Sequence, residues 1–293
     1  MKAFFHLPGL FEFHELYKLF LPLCKEHQEY FYDHIEISSI YGAPMGTIFS
    51  GGRLATGNSD PFEVLALLKE YGISARLTFS NSQLKPEHLK DEYCNFLCRL
   101  FEDENNGIII HSDLLSDYIK ENYPKFYQVS STTKVLLRKE ELIDELANDK
   151  YAYVVPDYRH NKKILDYELN EKSKAKVELL VNECCDIGCN KRKECYENVS
   201  RLALNEDVEE FRCTSPLGSK GYSFSLAMKN PAFISNEAII DEYLPSGINN
   251  FKIEGRGLGS ALVFEILLYY LVKPQYQINV REAIYLDNML DLF

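Results

Sequence analysis

The sequence predicts an α/β protein, a (β/α)8 TIM-type barrel formed by residues 1–293 as a single barrel domain. Three observations lead there. Short β-rich runs alternate with amphipathic segments, the pattern of a parallel sheet. Eight such runs follow one another along the chain. The rhythm is interrupted at length twice, over 40–59 and 182–250, and connections that long are usually functional. An open doubly wound sheet uses the same local pattern, so the count of eight is what favours closure.

Ala3 to His6 reads as the first strand, and the apolar pattern from Phe11 to Leu23 as a helix ending near Pro22. Tyr32 to Ile37 is the second strand. After a Gly-rich stretch comes a helix from Pro61 to Tyr71, with Ser59 or Asp60 as its cap and Pro61 just inside. Ser74 to Phe79 is the third strand, and Pro86 to Phe101 one long helix. Gly107 to His111 is the fourth strand, with Ser112 or Asp113 able to cap the next helix. Phe126 to Val129 is the fifth, then a helix from Arg138 to Asn148. Tyr151 to Val155 is the sixth strand, Val177 to Val181 the seventh and Phe251 to Glu254 the eighth, before a helix from Leu258 to Val272.

The 44 acidic and 32 basic side chains give a net charge of −12. That argues against broad nucleic-acid binding, which needs phosphate-neutralising Lys and Arg, and leaves room for a local basic patch. No apolar run reaches membrane-spanning length. No basic segment followed by an apolar one marks a secretion signal, so a cytoplasmic location is expected. The 8 Cys are then read as reduced, and clustered ones as ligands before disulfides.

In such a barrel the active groups sit on loops after the C-terminal strand ends. Those ends offer Glu36 and Ser38, Ser80 and Asn81, His111 and Asp113, and Ser130 to Thr133. Asp157 and Arg159, Asn182 and Glu183, and Glu254 and Arg256 complete the set. Many of these also suit helix caps. Residues 182–195 carry the strongest signal: Cys184, Cys185, Cys189 and Cys195 lie there, and Cys213 follows in the same connection. Thiolates bind soft metals, and four complete a tetrahedral zinc site or an iron–sulfur cluster. Cys185, Cys189, Cys195 and Cys213 give C-x3-C-x5-C-x17-C, neither a zinc ribbon nor a ferredoxin pattern, and Cys184 could replace Cys185. Cys24, Cys94 and Cys98 fall on helices, where burial explains them. The segment Tyr41 to Arg53 has glycines that let backbone N–H groups approach an anion, and Arg53 could pair with a carboxylate or phosphate; a tight surface loop is the plainer alternative. His111 could serve as an acid or base or be structural.

Two stretches carry a family resemblance. Asn182-Glu183-x-Cys185-x3-Cys189-x2-Arg192-x2-Cys195 resembles the cysteine region of the collagenase-like peptidase family (peptidase family U-32). Phe251-Lys252-Ile253-Glu254-Gly255-Arg256 resembles that family's FKIEGR segment near the last barrel strand, and Asn230 to Ile234 and Glu237 through Gly247 fit its layout. The resemblance is strongest from Val177 to Gly259. It implies a barrel and, in several branches, a [4Fe–4S] cluster held by four Cys. Those branches include oxygen-independent hydroxylation of ubiquinone precursors and of RNA pyrimidines, with prephenate as a proposed oxygen source; other members carry the peptidase label. This chain departs in its compact first cysteine spacing, in the extra Cys184, and in lacking the additional C-terminal domains of longer members.

The leading expectation is therefore an iron–sulfur enzyme of hydroxylation or RNA/cofactor modification. Cys185, Cys189, Cys195 and Cys213 would ligate the cluster, with zinc as the alternative metal. His111, Glu183 and Glu254 would be catalytic; Arg53, Arg256 and Asn182 would bind substrate, including a small anion such as prephenate. Two other readings stand beside it. One is a peptidase, although no H-E-x-x-H or G-x-S-x-G motif is present. The other is a non-catalytic subunit with a structural metal, paired with a related barrel.

Overall fold

The computed structural model describes residues 1–52, 57–215 and 221–286. The expected barrel is present. The strands are β1 (Ala3–Pro8), β2 (Ile35–Gly42), β3 (Ser74–Phe79), β4 (Gly107–Ile110), β5 (Tyr127–Ser130), β6 (Tyr153–Val154), β7 (Glu178–Leu180) and β8 (Asn250–Lys252). They form one sheet in the order β6-β5-β4-β3-β2-β1-β8-β7, every pair parallel. A single parallel bridge, Val154 to Val177, joins the two ends of that order and closes the ring.

The main helices are α1 (His14–Glu26), α2 (Pro61–Tyr71), α3 (Glu92–Phe101), α4 (Asp113–Asn122), α5 (Lys139–Ala147), α6 (Glu171–Lys176), α7 (Arg192–Ala203) and a late helix, Ser260–Leu271. Outward-facing strand residues such as Phe5, Leu7, Leu77, Ile108 and Ile110 pack against them in one continuous core. The α2 start is as expected: the Asp60 carboxylate accepts from the Phe62 N–H at 2.7 Å, with Pro61 just inside. Ser112 occupies the α4 cap position without a side-chain bond.

Three local expectations are corrected. The first helix does not stop at Pro22 but runs on to Glu26. Pro22 removes only the bond to the Lys18 carbonyl, and Lys18 lies on the exposed face, where water can replace it. The predicted helix 86–101 divides into a 3-10 turn, Pro86–Lys90, and α3, because Asp91 caps a fresh start through Cys94 N–H at 2.7 Å. The second strand sits three residues later than predicted at its start. Glu36 therefore pairs with Phe4 low on the barrel, and Tyr41, not Ser38, reaches the mouth.

Inside the barrel the usual layers of branched apolar side chains are only partly kept. Tyr41, Ile109, Val129 and Val155 form a small apolar cluster. Beneath it Glu178 of β7 meets Arg76 of β3 at 2.5 Å and Lys252 of β8 at 3.1 Å, all buried. His6 of β1 lies 3.6 Å from the same carboxylate and hydrogen-bonds Ser39 Oγ at 2.8 Å. The Arg76 guanidinium sits 4.5 Å from the Tyr153 ring centre, and Tyr127 Oη accepts from its Nε at 2.8 Å. Burial alone would raise the Glu178 carboxyl; Arg76, His6 and Lys252 outweigh it and hold the group well below the usual carboxylate range.

Burial, reinforced by Arg76, lowers His6 to about 3. His6 is thus neutral when folded and takes a proton near 6.5 when unfolded. A depressed folded value means stability that is complete above 6.5 and is lost as pH falls towards 3. Each pH unit in that window removes up to about 1.4 kcal/mol. Urea melts between pH 7 and 4.5 should show a shallower loss in His6→Gln than in the parent chain, the difference isolating this one group.

Candidate active site at the barrel mouth

At the C-terminal strand ends a cavity opens to solvent. Its apolar wall is Tyr41, Ile109, Val155 and Leu180; Lys252 forms the floor, and Glu183, Glu254, Arg256, Thr78 and Ser80 contribute polar groups. Tyr196, on α7, completes one side. That helix belongs to the long insertion and is held over the mouth by the β3 loop: the Asn81 amide donates to the Ser200 carbonyl at 3.0 Å, and the Ser82 N–H to Ser200 Oγ at 3.1 Å. Gly51 lies so close that a Cβ there would come within 2.5 Å of the Ser80 carbonyl oxygen. The glycine is needed for this contact, not for an unusual φ.

The chain leaves β8 over Pro8 of β1; a Cβ on Gly255 would fall 2.6 Å from the Pro8 ring. Tyr41 Oη donates to the Ile253 carbonyl at 2.7 Å, tying β2 to the same exit. This path buries Arg256, whose Nε donates to Glu12 Oε1 at 3.0 Å. That partner, Glu12, lies just after β1. Arg256 Nη2 and the hydroxyls of Thr78 and Ser80 are buried without a hydrogen-bond partner among the described residues. Such groups are costly to bury unless something hydrogen-bonds them, and here all three belong to residues that line the cavity.

Lys252 is pushed down to about 8, first by burial and then by Arg76, against the pull of Glu178. Its ammonium lies 3.7 Å from the Tyr41 ring centre. Below the mouth two cations, Arg76 and Lys252, face one carboxylate, Glu178, while Glu183 and Glu254 line the mouth itself.

Not every expected site residue meets in this cavity. Glu183, Glu254 and Arg256 line it. His111 ends β4 but bonds Thr133 Oγ1 through Nδ1 at 2.9 Å, and burial, helped by Lys134 and Lys193, lowers it to about 4. Asn182 stitches β7 to β8: its amide donates to the Glu254 carbonyl at 3.0 Å and accepts from the Glu254 N–H at 2.7 Å. Arg53 lies outside the described residues.

The cysteine loop is pinned from several sides. Glu183 accepts from the Cys185 N–H at 2.9 Å and from Arg192 Nη2 at 2.7 Å. Arg192 also lies 3.5 Å from Asp157 and 4.7 Å from the Tyr158 ring centre. Arg159 donates to the Cys189 carbonyl at 2.8 Å, and Asn230 to that of Cys185 at 2.9 Å. All the cysteines are free thiols. Cys185 is close enough to Cys189 for their charges to interact, and Cys189 and Cys213 line one cleft. Among the described residues no group of three His, Cys, Asp or Glu is gathered closely enough to hold a metal ion. The thiols match a soft metal in donor chemistry and neighbourhood, but a closed ligand set is not assembled.

Sequence reasoning missed Lys252, Glu12, Arg76 and Glu178. The last two left a trace: a charge in the middle of an otherwise apolar barrel strand needs a buried partner.

No protein-family model matches the chain, and no curated protein matches it. A solved structure of a U32 peptidase, Mk0906, superposes with a TM-score of 0.50 at 14% identity, covering 88% of this chain and 94% of that one. The two share the fold. Among the described residues no helix is long and apolar enough to cross a membrane.

The Arg192–Glu183 pair joins the loop to the barrel. Replacing Arg192 with Met should leave the Glu183 carboxylate buried without that guanidinium and cost about 3–5 kcal/mol, the usual effect of removing one partner of a buried pair. Chemical denaturation of the variant would show it as a lower midpoint with an unchanged slope.

Proposed function

We propose that this chain is a U32-type barrel enzyme that binds a small carboxylate-bearing molecule in its mouth. The observation that carries this reading is that Arg256, through Nη2, and Thr78 and Ser80, through their hydroxyls, bring buried polar atoms to the lining of one cavity. All three are buried and without partners among the described residues, above a floor where Arg76 and Lys252 face Glu178. A carboxylate supplies the acceptors those groups lack. The U32 assignment rests on the sequence resemblance together with the shared fold. The finer reading, an oxygen-independent hydroxylase or an RNA- or cofactor-modifying enzyme using an anion such as prephenate, rests on the resemblance alone. The peptidase reading has no observation that favours it.

The same reading places a [4Fe–4S] cluster, or zinc, on Cys185, Cys189, Cys195 and Cys213. A cluster there would supply electrons close to the cavity rim. Since those thiols are not closed around a centre, metal binding itself would have to draw them together, as it does where ligand assembly and local folding are one event. The chain's own residues do the rest: Arg192 and Glu183 hold the loop, Asn182 holds the strand ends, and the apolar wall excludes water.

Two measurements check this. Arg256→Lys keeps the charge but loses the planar fork, so it should weaken binding of lactate, a simple carboxylate probe, about tenfold with the melting temperature little changed. A large drop in melting temperature at unchanged affinity would make Arg256 a brace for Glu12 only. Protein prepared without oxygen should contain iron and acid-labile sulfide, and Cys185→Ser, Cys189→Ser or Cys195→Ser should lose the colour. Stoichiometric zinc and no iron would turn the centre into a structural one.

A further inference from the structure

The amine at the floor of the cavity is placed to meet a second group of a ligand whose carboxylate sits at the rim. Lys252 Nζ lies among groups from four strands: Glu178 at 3.1 Å, the Tyr41 ring at 3.7 Å, and the nearby Arg76 and His6. Arg256, at the end of its own strand, adds a further positive charge. It is buried, yet it lines the cavity together with Ile109, Val155 and Leu180. A lysine that only neutralised Glu178 would not need to reach the ligand space, since Arg76 already pairs that carboxylate at 2.5 Å. Desolvation and a neighbouring cation are the two devices that turn a lysine into a nucleophile.

We propose that Lys252 forms an imine with its ligand, and that the ligand is a 2-oxo carboxylate whose carboxylate meets Arg256 and whose carbonyl carbon meets Lys252 Nζ. The carboxylate half rests on the proposed anion site; the amine half does not. The neutral amine attacks the carbonyl carbon and a C–N bond forms. The carbonyl oxygen takes up protons and leaves as water, so that C=N replaces C=O. No electrons enter or leave. Starting from the ammonium form, the product is a protonated imine, which keeps the positive charge that Glu178 faces at 3.1 Å. The Thr78 hydroxyl, without a partner among the described residues, can hold the carbonyl oxygen before it departs. The neutral amine is available near pH 8 because Lys252 sits at about 8 in place of 10.5.

Trapping tests this on the full chain. The protein is incubated at pH 7.5 with pyruvate and sodium cyanoborohydride, whose hydride reduces the imine to a stable amine, and the carboxyethylated lysine is mapped by mass spectrometry. The expected result is one dominant adduct at Lys252, formed at least about tenfold faster than at surface lysines of ordinary basicity. Lactate, a carboxylate with no carbonyl, should suppress it. Labelling spread over other lysines with none at Lys252 overturns the proposal, and this outcome needs no variant to fold. Lactate binding without a Lys252 adduct overturns the imine and leaves the anion site standing. A Lys252 adduct formed equally well by acetone, with lactate without effect, supports the amine and overturns the carboxylate assignment. In Lys252→Arg, with folding checked by circular dichroism, labelling should fall to the surface-lysine background.

Discussion

At the centre of the barrel a carboxylate from β7 is held between a guanidinium from β3 and an ammonium from β8, and the rest of the architecture is arranged around that meeting. Burying three charges is expensive, and their mutual attraction compensates only if each is well placed and its remaining hydrogen bonds are met. Tyr127 accepts a hydrogen bond from Arg76, the rings of Tyr153 and Tyr41 lie against Arg76 and Lys252, and His6, kept neutral, packs beside Glu178 without adding a charge. These groups come from β1, β2, β3, β5, β6, β7 and β8, so the network is complete only when the ring is. The single bridge between Val154 and Val177 is a slender seam for an eight-stranded barrel. Charges that reach across the interior span the two sides that this bridge joins.

The same network shapes the mouth. Two cations against one carboxylate leave the floor of the cavity positive. Above it the donors without partners among the described residues are Arg256 Nη2 and two hydroxyls. The protein as a whole is acidic, so this bias is local, created by burial and not by composition.

The insertion after β7 is joined to this site through side chains, not through the sheet. Glu183 faces both the cavity and Arg192, Asn81 reaches the helix α7, and Asn182 stitches the last two strand ends. The cysteine loop and the cavity therefore share a wall. The barrel is the fold shared with a solved U32 peptidase structure.

The sequence by itself determined the strand–helix alternation, the count of eight and the long cysteine-bearing connection, because these follow from periodicity and spacing along the chain. It also showed that Lys252 and Glu254 share one face of the last strand, since side chains alternate every residue there. It did not reveal that Pro22 would be carried inside a helix or that β2 would run on to Gly42, as both depend on what faces solvent in the finished ring. Above all, the partners came from the tertiary structure alone. Glu12 and Arg256 are separated by almost the whole chain, and Arg76 and Glu178 by a third of it, and no local pattern encodes which buried charge will meet which. Only closure of the barrel brings them within hydrogen-bond distance, and that closure decided which residues line the site and which merely brace it.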